Sequence, residues 1–206
     1  MNTILYYIAL LMLSATAVVL TINYKKFKSR FVFYFACFIC VSLLAELIGL
    51  YIWKIVEDNN YWVFNIYTFF EFNFIALIYH TIIKDHRVVK IIKYIMISFN
   101  ILYFSSFLFP PIQDKHITVL NFLLISVFSI LYLRQLLNST QILNYKRHLP
   151  FWITVGFLIF YLSSIPFQFV RENLSNRDLF FIQMILIYIM HTCFMYGLLW
   201  SKEVSK

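Results

Sequence analysis

The chain has 206 residues, 62% of them apolar and 13% charged, with a mean hydropathy of +0.79 and a formal charge of +8 at pH 7. Soluble domains carry about twice that charged fraction, so composition excludes a soluble globular protein and points to an all-α integral membrane protein. The positive charge does not mark a direct nucleic-acid binder, because the lysines and arginines sit in short clusters between apolar runs.

Seven apolar segments follow one another, at about 3–23, 31–56, 61–83, 91–109, 117–137, 151–170 and 179–200. Each is long enough to cross a hydrocarbon layer about 30 Å thick. Segment 1 competes with a cleaved signal peptide, since Ala15-Thr-Ala17 resembles a cleavage site. No basic residue precedes the run, however, and Lys25, Lys26, Lys28 and Arg30 follow it at once, which favours an uncleaved first helix. Segments 2 and 3 are joined by the polar residues Glu57-Asp58-Asn59-Asn60. Lys84, Arg87 and Lys90 precede segment 4, and Pro110-Pro111 ends it. Segment 5 follows the loop 112–116, a longer connection with Lys146, Arg147 and His148 leads to segment 6, and residues 171–178 lead to segment 7. The expectation is one seven-helix transmembrane domain.

With the N-terminus outside, thirteen basic residues fall on the inner side and four, Lys54, Lys115, Arg171 and Arg177, on the outer. The positive-inside rule therefore places the C-terminus in the cytoplasm. Trp53 and Trp62 then fall at outer ends and Trp152 and Trp200 at inner ends, as an interfacial aromatic belt requires. The chain has three glycines and no GxxxG motif, so few close small-residue helix crossings are expected. Cys37 and Cys40 have CxxC spacing but lie with Cys193 inside apolar runs, and read as small buried side chains.

Two carboxylates lie deep in these segments. Glu46 is ten residues before Val56 and Glu71 ten after Tyr61, which puts both about 15 Å below one surface. An ionisable group at that depth costs about 2.5–3.5 kcal/mol on insertion scales, and usually faces the bundle interior and finds partners. His191 and Asn100 reach similar levels in segments 7 and 4. Asn65, Thr68 and Glu71, spaced by three, form a polar stripe leading inward from the outer surface, and Ser42 and Gly49 flank Glu46. Pro166 removes a backbone hydrogen bond and is expected to kink segment 6 near Ser163-Ser164.

The pattern predicts a midplane site for a small ligand or a proton, formed by Glu46, Glu71, His191, Asn100, Asn65 and Thr68. The two carboxylates would share a proton or pair with His191. The competing reading has each polar group fixing helix register. A retinal pigment is excluded because segment 7 has no lysine, and a bis-histidine haem because His80 and His191 differ in depth. No cofactor is expected. Were a metal present, Glu46, Glu71 and His191 could supply the three ligands of a zinc-dependent lipid hydrolase. A proton-coupled transporter and an oligomeric channel are further alternatives. The basic inner loops could hold a cytoplasmic protein partner or anionic lipid.

Glu46-Leu-Ile-Gly49, Asn59-Asn60, Asn65-Ile-Tyr67, Glu71-Phe72 and Pro150-Phe-Trp152 with Gly156 and Tyr161 carry a likeness over most of the chain. By these short motifs it resembles a family of small bacterial polytopic membrane proteins of unknown function. In size and composition it is similar to the accessory membrane proteins encoded beside type VI-B CRISPR effectors. That resemblance implies modulation of an RNA-targeting defence system from the membrane; the equal-depth carboxylates and the lack of a complete catalytic set lead to the expectation of a non-enzymatic, regulatory or defence-accessory multi-pass protein of the bacterial cytoplasmic (inner) membrane.

Overall fold

The structure, a computed structural model, describes residues 3–56, 60–108, 114–139, 145–170 and 180–201. Seven α-helices account for nearly all of them: α1 (Thr3–Asn23), α2 (Arg30–Tyr51), α3 (Tyr61–Ile82), α4 (His86–Leu108), α5 (Asp114–Leu137), α6 (Leu149–Val170) and α7 (Phe180–Trp200). All seven are long and apolar enough to cross a membrane. The expected junction residues Glu57, Asp58 and Asn59, the breaker Pro110-Pro111, the loop with Arg171, Glu172, Arg177 and Asp178, and the tail with Lys202 and Lys206 lie outside the described residues.

Helix ends follow local chemistry. Ser29 caps α2, its Oγ accepting from the Val32 N–H at 3.3 Å. Residues Ile52–Val56 prolong α2 as one π-helical turn, so this span reaches Val56 as expected. At that turn the Asn60 side chain donates to the Gly49 carbonyl at 3.2 Å. Helix α4 begins five residues earlier than its apolar run, because Asp85 Oδ1 takes the Arg87 N–H at 2.9 Å and serves as the cap. Arg87 and Lys90 thus belong to the helix and not to a loop. Helix α5 likewise begins at Asp114, three residues before the expected start. Pro150 occupies the first turn of α6, where its missing N–H costs nothing.

The helices group into two compact units. One is residues 29–121, with α2, α3, α4 and the first turns of α5; the other is residues 1–28 and 122–206, with α1, the rest of α5, α6 and α7. Polarity is inverted in both. Leu11, Ile22, Ile55 and Ile101 stand about two-thirds or more exposed, while Thr16, Asn121, Ser129 and Ser164 are fully buried. Chains in water leave isolated apolar side chains outside, not whole helix faces. The small buried hydroxyls are mostly satisfied within their own helix: Ser42, Ser126 and Ser129 each donate to the carbonyl four residues back. Helix α6 runs through Pro166, which faces outward, and nearby Ser164 Oγ has no partner among the described residues.

The scarcity of glycine misleads about α6 and α7, which make a close crossing. A Cβ on Gly156 would lie 2.8 Å from the Phe194 ring and 3.1 Å from the Met190 carbonyl. One on Gly197 would lie 2.8 Å from Trp152 Cβ. Two of the three glycines therefore let these helices approach without any GxxxG spacing, because each helix contributes one. Trp152 also packs edge-on against Tyr196, which stacks on Trp200. Gly156→Ala and Gly197→Ala should each lower the unfolding midpoint in detergent, by overpacking of about 1–3 kcal/mol. Gly49→Ala should cost less, since its Cβ would meet only the far edge of the Phe64 ring at 3.1 Å.

Candidate functional site

In the unit formed by residues 29–121, Glu71 is only 6% exposed, and its Oε2 accepts from Asn121 Nδ2 at 2.7 Å. Asn121 is fully buried on the first turns of α5, and its Oδ1 has no partner among the described residues. One turn before Glu71 on α3, the Tyr67 hydroxyl lies within hydrogen-bonding reach of the Glu71 carboxyl and within electrostatic reach of Glu46. Tyr67 also meets Ser42 of α2 at 3.0 Å, and Ser42 donates to the Phe38 carbonyl at 2.8 Å. Either hydroxyl can be the donor in that pair. The result is a hydrogen-bonded chain from α2 through Tyr67 and Glu71 to α5.

The lysines and arginines of this unit lie at or within about two turns of helix ends. Glu46 is half-buried and lies within electrostatic reach of Tyr67. Thr68 spends its hydroxyl on the Phe64 carbonyl of its own helix, and Asn65 lends its backbone carbonyl to the Tyr103 hydroxyl at 3.0 Å. The stripe Asn65, Thr68, Glu71 exists as a face of α3, with its first two members half-buried.

Asn100 is not brought to the carboxylates. It forms a reciprocal amide pair with Asn73 of α3, at 2.9 and 3.0 Å, a clasp between α3 and α4 beside the Phe72–Phe99 ring contact. His191 belongs to the other unit. There its Nδ1 lies 3.0 Å from Thr16 Oγ1, which itself donates to the Met12 carbonyl at 2.8 Å. The pair is 4% and 0% exposed. Together with the Tyr188 hydroxyl on the Leu5 carbonyl at 2.7 Å, it ties α7 to α1. The competing reading of His191 as a register-setting core residue describes these contacts better than a ligand role. Among the described residues no three His, Cys, Asp or Glu side chains converge as a metal site.

Asn121, Tyr67 and Asn73 are the residues the sequence reasoning missed. Asn121 lies seven residues into α5, about 10 Å along the helix. The Asp114 start was the signal that would have found it. Tyr67 was visible as the residue four before Glu71, a pair that shares a helix face. Comparisons with protein-family models, curated proteins and solved structures return no match.

The Asn73–Asn100 clasp gives a direct test of which polar pairs are structural. Asn73→Leu or Asn100→Leu alone should cost about 1 kcal/mol or more by stranding the other amide, and the double variant should recover much of that loss. Unfolding of the three variants in detergent measures it.

Proposed function

We propose that the chain is a non-enzymatic multi-pass protein of a bacterial cytoplasmic membrane, with a regulatory or sensing role. Its Glu71 cluster, comprising Glu71, Asn121, Tyr67, Ser42 and Glu46, binds a small ligand or a proton. The reading rests on one observation above others. A deeply buried carboxyl accepts a 2.7 Å bond from the Asn121 amide, and that amide keeps an acceptor with no partner among the described residues. Purely structural polar networks tend to be satisfied at every member. Here an acceptor is left over beside a buried carboxyl, which is the composition of a site for a positively charged or hydrogen-bond-donating occupant.

The proposed orientation, N-terminus outside and C-terminus cytoplasmic, is supported by the basic-residue asymmetry of the sequence. The Asn65–Thr68 face would then lead from the outer surface toward Glu71. A defence-accessory setting is the context the family resemblance implies, with the inner basic loops docking a cytoplasmic partner.

Two measurements bear on this reading. Sites built for ligands are stability liabilities, whereas structural anchors are not. Replacing both partners with apolar residues, Glu71→Leu with Asn121→Leu, should leave the unfolding midpoint unchanged or raise it. A large loss would make the cluster a structural anchor. For orientation, in a variant with Cys37, Cys40 and Cys193 replaced by Ala, a cysteine at Asn2 should react with a membrane-impermeant maleimide in intact cells. A cysteine at Ser205 should react only after lysis; the opposite pattern overturns the orientation.

A further inference from the structure

We infer that the exposed face of α4 holds an anionic phospholipid, with its phosphate met by Arg87, Lys90 and Lys93 and an acyl chain lying along Ile97 and Ile101. The site is separate from the Glu71 cluster and does not rest on it.

Helix α4 contains no acidic residue, and its spacing sorts the side chains onto two sides. Arg87, Lys90, Tyr94, Ile97 and Ile101 follow one another at steps of three or four and so form one stripe. Lys93, three positions after Lys90, stands beside it. All six are exposed. The opposite side carries the buried Ile92, Phe99 and Tyr103, together with Asn100, which pairs with Asn73 of α3. One face of α4 is therefore given to α3. The other has three basic residues at its start and apolar side chains beyond them.

Basic residues that only orient a span need to lie on the right side of the membrane, not on one helix face. Here the three share a face. Lys93 is also seven residues into α4, about 10 Å along the axis from His86, with Ile91 and Ile92 on the terminal side of it. A charge carried that far into an apolar run is costly unless an opposite charge meets it. Asp85, the acidic residue just before the helix, turns its Oδ1 to the Arg87 N–H at 2.9 Å and serves the helix end. Lipid phosphate is the anion at this level. Long Lys and Arg stems lie on apolar surface while their heads reach the headgroups, and the Tyr94 ring sits between the two zones as interfacial tyrosines do. A lipid is favoured over a soluble phosphate because the same stripe continues as Ile97 and Ile101, which a soluble anion would not use.

Native mass spectrometry of the purified protein in neutral detergent, titrated with phosphatidylglycerol or with phosphatidylcholine, measures the affinity for the first lipid bound. Each basic residue near the headgroups is worth about a factor of five, so the wild type should hold phosphatidylglycerol about fivefold or more over phosphatidylcholine. Arg87→Gln with Lys90→Gln and Lys93→Gln should abolish that preference, and the charge-keeping set Arg87→Lys, Lys90→Arg and Lys93→Arg should retain it. Lys25→Gln with Lys26→Gln and Lys28→Gln removes as many charges between α1 and α2 and should leave it unchanged. A wild type without preference, a preference that survives loss of the α4 charges, or an equal fall in both Gln sets would overturn the inference. Should the α4 Gln set fail to assemble, Lys93→Gln alone decides, and an unchanged preference overturns it. Displacement of the lipid by glycerol phosphate at equal concentration would mark a soluble-anion site and also overturn it.

Discussion

A polar group enclosed by apolar helices has no water to bond, so every donor and acceptor must be met from within the protein. That constraint shapes nearly every polar contact in this chain. Ser14, Thr16, Ser42, Thr68 and Ser126 turn their hydroxyls back to their own helices. Asn73 and Asn100 close on each other, and His191 closes on Thr16. Against this background one end of the Asn121 amide remains unmet, as does the Ser164 hydroxyl, among the described residues, and Asn121 alone of the two holds a buried carboxyl.

The two compact units solve the same problem differently. In residues 1–28 and 122–206, α7 is fastened to α1 by Tyr188 and His191 and pressed against α6 through Gly156 and Gly197. That packing leaves neutral groups and aromatic rings inside. In residues 29–121 the helices α2, α3 and α4 are linked by side-chain hydrogen bonds that pass through ionisable residues. A chain of hydroxyl, phenol, carboxyl and amide can change direction without moving its backbone, so chemistry and conformation meet in this unit.

The seven helices were legible in the sequence because each apolar run is long and its boundaries are basic or polar. The early start of α4 was missed because charged residues were assigned to a loop, although Asp85 is an ordinary helix cap. Depth counting placed Glu46 and Glu71 at one level, and Tyr67 lies within electrostatic reach of both. It misled for Asn100, because equal depth does not fix which face of a helix a residue occupies. Asn73, two positions after Glu71, lies on the face that meets α4. Asn121 escaped for the converse reason: its backbone is nearer the helix end, and its side chain reaches a carboxyl set deeper.

The central claim is that Glu71 and Asn121 act as one unit. A double-mutant cycle on unfolding, using Glu71→Gln, Asn121→Ala and the pair, measures that coupling directly. Residues in contact within one hydrogen-bond network show interaction energies of about 0.5–3 kcal/mol. The account predicts coupling in that range; additive single effects would contradict it.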